Sequence, residues 1–462
     1  MRAEQANDLA RRLLRPFGIS PITPLALAIF RTVLGLGLLY ILLVYQPIVA
    51  RADDVRRPHS PLADMQWVYA LAVNKGATSV LQGVACVAAG LFTVGIFARP
   101  AYVVVVSLML VNVLMILARA GGHDWGLPIV TLLILTVVPW SDAPSLFQLP
   151  RSWARFSAAS LASRAYGFAV WLPGLTVGLA LAAAAYAKVV GTGVQWITNG
   201  TVRYHFVEDG RNAPVTLGLW IATHPSVAIA VSLAAVLTEA GFILVIFARD
   251  WRTRLAFGLM GASMMAGFTL FQGVAWWPWR ILFLAFLPWT LLTTLDKGTT
   301  IASSDDVSGS SFVAQRDLTW THALLVVVLI AGQLWVSARA IEIEPFVSNY
   351  PMYAYTWSST EEFDRHQSRT RFEADGKDIS DRIEAAGGED VLRQMVTRND
   401  DSESNRDDIE EDRADFIARY TRIYGGVPPS IDVILLQRPF DWQRGRYLPP
   451  TRARIGTVHL AH

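Results

Sequence analysis

The chain has 462 residues, of which 53% are hydrophobic and 17% charged, with 16 tryptophans. So little charge over such a length argues against an ordinary soluble enzyme or a nucleic-acid-binding protein and for an integral membrane protein. Residues 339–462 hold 17 Lys and Arg against 23 Asp and Glu, a net of −6, which leaves +8 for the rest of the chain. Two differently solvated parts follow, a membrane domain and a polar tail. The single cysteine, Cys86, lies in an apolar run, so no intramolecular disulfide or cysteine-based metal site can form.

Residues 1–23 contain Arg2, Arg11, Arg12 and Arg15 but no apolar core, and read as a cytoplasmic N-terminal segment rather than a cleaved signal. A hydrocarbon core takes about 20 apolar residues per helix. Nine segments meet or approach that length: 24–46, 77–97, 100–118, 127–140, 167–187, 225–247, 255–272, 278–295 and 321–338. Between the first two, DMQWVYALAV reads as an interfacial helix. Placing the basic segments in the cytoplasm puts the N-terminus, Arg99, Arg151, Arg155, Arg164, Arg249, Arg252, Arg254 and the Ser-rich linker 297–320 on one side. With nine spans the tail then lies outside a bacterial plasma membrane.

The predicted architecture is an all-α polytopic membrane domain over residues 24–338, with a small α+β extracytoplasmic domain over 339–462. In the tail, SRTRFEADGKDI reads as a strand with a turn at Asp375-Gly376. Helices are expected around 388–398 and 410–424, the second ending at Gly425. IDVILLQRPF and ARIGTVHL read as further strands. The acidic run 400–412 lacks the glycine and ligand spacing of a calcium loop and reads as a solvated helix start.

Intramembrane charge is costly and is the natural place to look for function. Arg31 in the first span and Glu239 in the sixth fall at similar depth, which predicts a buried structural pair. Alternatively Arg31 snorkels alone, and Glu239 needs another partner or a proton. Lys188 ends the fifth span, in GLALAAAAYAKVVGTGVQW, at the same membrane level as His123 in GGHDW. A lysine in apolar surroundings can serve as a base, and a nearby histidine can assist it. The bland alternative is that Lys188 snorkels and His123 decorates a turn. Tyr186, Trp196 and His205 are candidate site-lining residues. No His/Glu pair has zinc spacing, and no P-loop or GxGxxG is present. Asn199-Gly200-Thr201 matches a glycosylation acceptor, and WWPWR (276–280) reads as an interfacial aromatic belt.

PLALAIFRTVLGLGLLY, GGHDWGLPIVTLLILTVVPW, AAAAYAKVVGTGVQWITNG and HPSVAIAVSLAAVLTEAGFILVIF, in this order, resemble segments of the horizontally transferred transmembrane (HTTM) domain family. That family is related to vitamin K-dependent γ-glutamyl carboxylase. The resemblance spans about residues 18–300. It implies that Lys188 is the base that deprotonates a reduced quinone, with His123 as its helper, and that O2 and CO2 are co-reactants. The histidine that the carboxylase carries in its seventh span is absent from GLMGASMMAGFTLFQG, and the tail is much shorter than the carboxylase's lumenal region. The resemblance therefore implies quinol-dependent oxygenation of a lipid-soluble substrate rather than glutamate carboxylation. The competing reading is a non-catalytic scaffold for export, maturation or immunity, whose tail binds an extracytoplasmic protein. A transporter ranks third, because no internal repeat and no matched pair of Gly- or Pro-broken helices is evident.

Overall fold

A computed structural model of the protein describes residues 3–50, 65–118, 125–150, 156–157, 161–294, 317–343, 347–348, 354–397, 403–437 and 439–460. The short α1 (Ala3–Leu14) precedes α2 (Pro24–Tyr40), which runs on through a π-helical turn to Tyr45. Then come α3 (Gln66–Val73), α4 (Lys75–Val94), α5 (Ala98–Leu117), the short α6 (Gly126–Ile134) and α7 (Arg164–Thr192). The second half holds α8 (Val202–Asp209), α9 (Leu217–Ala222), α10 (Pro225–Gly241) with a 3-10 extension to Phe247, α11 (Trp251–Gln272), α12 (Trp277–Phe283) and α13 (Trp320–Arg339).

Among the described residues seven helices, α2, α4, α5, α7, α10, α11 and α13, are long and apolar enough to cross a membrane. The chain is an integral membrane protein. The expectation of nine such spans is corrected at 127–140 and 278–295. Helix α6 with its 3-10 end stops at Val137, and α12 with its own stops at Phe286. At 1.5 Å per residue a dozen residues reach about 18 Å, well short of a hydrocarbon core of about 30 Å. Pro139 and Pro288 follow directly and cannot continue a helical ladder.

Local signals set the other boundaries. Thr23, Asn74 and Asp250 cap α2, α4 and α11, each accepting a bond from the backbone N–H three residues on. Gly95 and Gly273 end α4 and α11 with φ of 86° and 73°, a left-handed conformation that glycine adopts freely. Helix α7 is apolar all round because it is the central post of the bundle, buried over most of its length. Small residues let neighbours close on it: a Cβ at Gly178 would lie 3.4 Å from the backbone of Phe242 and Ile243.

The two short helices occupy matching places in an internal repeat. Ile96–Arg99 and Ile246–Arg249 both read IFAR, 150 residues apart, and each joins two long helices. With the same offset α4 begins at Lys75 and α10 at Pro225, and the buried Phe92 corresponds to Phe242. Each hairpin is followed by a short helix, a 3-10 turn and Pro-Trp, at Pro139-Trp140 and Pro288-Trp289. In both copies the indole N–H donates to the carbonyl five residues back, Trp140 to Leu135 and Trp289 to Leu284, at 3.0 Å. Both indoles pack on Phe30, with centroids 6.2 and 5.3 Å away. The expectation of no repeat is overturned. The copies share hydrophobic shape rather than letters, so only these punctuation marks are visible in the sequence.

The N-terminal segment ties one end of the bundle together. The Gly18 N–H donates to Ile246 O, Arg164 donates to Ile19 O and Leu14 O, and Arg249 donates to Arg15 O. Arg11, Arg99, Arg164 and Arg249 thereby share one end, as charge counting grouped them. Arg254, expected in the same loop, is instead buried, and it donates to Val170 O at 2.6 Å, just before Pro173 interrupts the α7 ladder.

The tail carries a four-stranded antiparallel sheet in the order β4-β3-β5-β8, made of β3 (Arg369–Ala374), β4 (Lys377–Asp378), β5 (Ser430–Gln437) and β8 (Thr451–His459). Two further two-residue pairs, β1 (Glu342–Ile343) with β2 (Val347–Ser348) and β6 (Phe440–Asp441) with β7 (Arg446–Tyr447), are separate from it. Asp375 and Gly376 both have positive φ, the tight hairpin turn that the sequence predicts. Helices α14 (Thr360–His366), α15 (Ser380–Ala385), α16 (Glu389–Thr397) and α17 (Glu403–Tyr424) complete the tail. The acidic run begins α17.

Packing of the first hairpin makes a direct test. A Cβ at Gly35 of α2 would land on the Thr93 side chain and backbone, whereas one at Gly90 of α4 meets nothing within 4 Å. Gly35→Val is expected to lower stability by about 1–3 kcal/mol through overpacking. Gly90→Val should leave the melting midpoint in detergent nearly unchanged.

Candidate functional site

Lys188 does not end its helix; α7 continues one turn further, to Thr192. Helical side chains lean towards the N-terminus, so the long amine drops back into the bundle instead of rising to the headgroups. There it meets the carboxylate of Glu239 from α10, with Nζ donating to Oε1 at 2.8 Å and Oε2 at 2.7 Å. Lys188 is 3% exposed and Glu239 5%, so this is a buried ion pair. Nζ also lies 5.2 Å from the centroid of the Trp196 ring, close enough for a cation–π contact.

The pair forms one wall of a cavity of about 350 Å³ between α7, α8, α10 and α11. Met260, Met264, Phe268 and Phe271 of α11 and Val231 of α10 supply apolar lining, and Trp196 and His205 stand near the amine. Ala234 and Ser263, exposed on the facing sides of α10 and α11, mark its mouth between two membrane-spanning helices. Gln272 lines the cavity and is 3% exposed, and its Oε1 has no hydrogen-bond partner among the described residues.

Above the cavity, α8 joins the membrane domain to the tail. Its buried His205 has Nδ1 3.3 Å from Glu208 Oε2, and the same oxygen accepts from Tyr355 Oη at 3.1 Å. Burial holds the His205 imidazole below its ordinary pKa, and the nearby Lys188 charge acts in the same direction. Burial tends to raise the Glu208 carboxyl, but bonds from His205 and Tyr355 outweigh it and the net direction is down. Tyr204, Trp357, Phe363 and Trp442 stack into an aromatic seam between α8 and the tail. Tyr447 Oη donates to Val207 O at 2.7 Å, and burial pushes its phenol up to about 12. Asn199, the glycosylation candidate, donates to Trp357 O in this seam.

No protein-family profile, curated protein or solved structure matches the chain. The site therefore has to be read from its own geometry.

Of the residues singled out from the sequence, Lys188, Trp196 and His205 converge on one cavity. Tyr186 does not; it is 47% exposed on the outside of α7, because two residues along a helix turn through about 200°. His123 lies outside the described residues. The expected Arg31–Glu239 pair is not formed. The buried Arg31 donates to the carbonyls of Ala143 and Pro144 at 3.0 and 2.7 Å, beside Gly95, and so holds the chain that follows the first Pro-Trp break. Equal depth did not bring Arg31 and Glu239 together, because α7 stands among α2, α6 and α10 and supplies the amine itself. Glu239 as the partner of Lys188 was missed, although an unpaired carboxylate opposite an unpaired amine was a usable signal. Trp279 of WWPWR is 2% exposed and is core rather than belt.

Chemically, the ion pair is an acid and a base held in contact within an apolar wall. Its total charge stays zero whether the shared proton rests on nitrogen or on oxygen, so proton movement within it needs no external counter-charge. Removing either partner strands the other charge. Lys188→Met or Glu239→Gln alone is expected to destabilise the protein by about 3–5 kcal/mol, while Lys188→Met combined with Glu239→Leu should recover most of that loss. Melting midpoints of the single and double variants in detergent would check it; additive losses would show that the two groups are not coupled.

His205 predicts a pH window. The folded protein holds its imidazole less protonated than the unfolded chain, so stability falls as pH drops below about 6.5, the unfolded histidine value. The depressed Glu208 carboxyl contributes a separate loss at lower pH, below the ordinary carboxylate range. In His205→Gln the slope of melting midpoint against pH between 7 and 5.5 should flatten, whereas Tyr355→Phe, which removes the other donor to Glu208, should leave that slope in place and lessen the loss below 4.5.

Proposed function

We propose that this protein is a membrane enzyme of the kind its HTTM-like segments imply, acting on a reduced quinone or a similar lipid-soluble hydroxyl compound in the cavity beside Lys188. The observation that carries the reading is a buried, bidentate Lys188–Glu239 pair in the wall of an otherwise apolar cavity whose mouth opens between two membrane helices. A structural ion pair needs no such cavity, and an apolar ligand site needs no such pair. Their conjunction fits a ligand with a flat apolar body and an ionisable hydroxyl.

The residues fit that class of molecule. Trp196, Phe268 and Phe271 offer ring faces, the two methionines offer deformable contacts, and Gln272 offers a second polar anchor. A reduced quinone bound there would supply the acidic hydroxyl and, with O2, the oxygenating chemistry that the resemblance implies.

The ion pair also refines the role of the lysine. An ammonium has no lone pair, so Lys188 accepts a proton only after passing its own to Glu239 across the 2.7 Å contact. The working base is therefore the pair. Once a proton has been accepted, the positive charge on Lys188 stabilises the oxygen that lost it. His205, at the cavity roof, and Glu208, whose side chain is 31% exposed, form a chain along which that proton reaches water. In this reading the basic end of the bundle is cytoplasmic and the tail with the Lys188 end is extracytoplasmic, as the distribution of arginines favours. His123 is the assisting histidine by resemblance.

The transporter reading gains the internal repeat but lacks a site to match it. The Pro-broken segments close on Phe30 in a packed aromatic core, and neither lines the cavity, which is built by the second copy together with α7 and α8.

Filling the cavity separates a ligand site from a structural void. Ala235→Trp is expected to weaken binding of a short-chain naphthoquinol by about tenfold or more, roughly 1.4 kcal/mol, while the melting midpoint is kept. Lys188→Met combined with Glu239→Leu, which should keep most of the stability, should retain binding but abolish quinol-dependent O2 uptake. Undiminished binding in Ala235→Trp, or undiminished uptake in the Lys188→Met/Glu239→Leu double variant, would remove the proposal.

A further inference from the structure

At the end of the bundle away from Lys188, a crevice of about 580 Å³ opens between α1, α5, the 3-10 end of α6 and the first turn of α13. Its polar lining includes Asn7, Arg11, Arg99, Asp317, Thr321 and His322, with valine, proline and alanine side chains beside them. Arg11 is paired with Asp317 at 3.4 Å. Arg99 is exposed in the first turn of α5 and has no hydrogen-bond or ion-pair partner among the described residues.

The internal repeat supplies a comparison within the same molecule. The counterpart of Arg99 is Arg249, which donates to the carbonyl of Arg15 at 3.3 Å. Around Arg249 the chain segment containing Gly18, Ser20 and Ile22 fills the equivalent space, leaving only about 20 Å³. One copy of the hairpin arginine is thus provided with an oxygen acceptor by the protein itself. The other faces an open crevice.

A second donor stands in that crevice. The Thr319 N–H donates to His322 Nδ1 at 3.2 Å in the capping box that starts α13, and Thr319 Oγ1 lies 2.8 Å from the same nitrogen. A ring nitrogen that accepts a backbone N–H carries no proton, so the imidazole hydrogen sits on Nε2. Nε2 is buried without a hydrogen-bond partner, and His322 is 5% exposed. The partial positive charge of the α13 N-terminus adds to the same field. Formal charges of Arg11, Arg99 and Asp317 sum to one positive charge, the complement of a single phosphodiester.

We propose that this crevice binds the phosphate group of an anionic phospholipid, with Arg99 as its principal ligand and the apolar wall against the glycerol and first methylenes. Basic pockets between membrane helices take such headgroups because the phosphate replaces water on the arginines while the acyl chains stay in lipid. The charged rim and apolar floor fit a headgroup that remains attached to its chains. Inorganic phosphate shares the charge chemistry but not the floor.

The test uses the full chain purified in nonionic detergent, with melting midpoint read against added phosphatidylglycerol, diacylglycerol or inorganic phosphate. Phosphatidylglycerol should raise the midpoint of the wild type and of R252Q, which removes another exposed arginine at the same end of the bundle but outside the crevice. In R99Q, half-saturation should move to at least about fivefold higher lipid, the loss of roughly one charge-assisted bond. Diacylglycerol should have no effect. An Arg99-dependent rise with inorganic phosphate equal to that with lipid upholds the phosphate site and makes the free ion its occupant. Equal lipid responses in R99Q and R252Q, or stabilisation by diacylglycerol as large as by phosphatidylglycerol, overturns it. The midpoint of R99Q without additive shows whether that variant is folded.

Discussion

Two opposite charges that cannot remain alone in an apolar bundle set the layout of the outer half of this membrane domain. An isolated ammonium or carboxylate at that depth is penalised by several kcal/mol, and the penalty is offset only when the two meet with good geometry. Lys188 and Glu239 do so through two short hydrogen bonds. That contact fixes α7 against α10, and the short helical turn Gln195–Thr198 packs on both, with Trp196 against the amine. The cavity lies between α10 and α11, which are joined at Ala248–Asp250, and is bounded by Lys188 of α7 and by α8. Stability and the proposed chemistry therefore draw on the same pair.

The repeat explains why the site occurs once. With the 150-residue offset, the position of Glu239 in α10 is taken in α4 by Ala89, which is fully buried. The first copy has no acid there to attract a base. Its α4–α5 hairpin has instead an open, wholly apolar groove of about 660 Å³, while the second copy joins the carboxylate to its cavity. The arginines show the converse division. Arg249 is absorbed into the N-terminal strap, and its counterpart Arg99 is left facing a crevice. Two copies of one helical unit have thus been differentiated at opposite ends.

The tail closes the assembly. Its aromatic seam with α8 places Tyr355 on Glu208 and Trp357 on His205, so His205, which lines the cavity, is backed by residues from beyond the last membrane helix. Proton traffic from the cavity, if it passes His205, passes under this contact.

Much of the architecture was legible in the sequence, and the limits of that reading have physical causes. Hydropathy alone marked all seven long helices, because lipid imposes a length of apolar chain that few other constraints mimic. Arginine placement identified which loops share an end, and Asp375-Gly376 announced its hairpin through backbone conformation. Lys188 stood out because a lone amine in alanine and leucine has to be accounted for. Tertiary structure decided its partner, since depth along a helix does not say which neighbour faces which. Arg31 and Glu239 lie at similar depth and do not meet, and Lys188, placed a level apart, reaches Glu239 because its helix is longer and its side chain leans back. The repeat left only IFAR and Pro-Trp as marks in the sequence, and the cavity and the crevice at Arg99 appear only on folding, because they depend on which surfaces helices leave uncovered. The chain by itself determined that this is a membrane bundle with an exceptional lysine; packing decided that the lysine is half of an acid–base pair at the wall of a cavity.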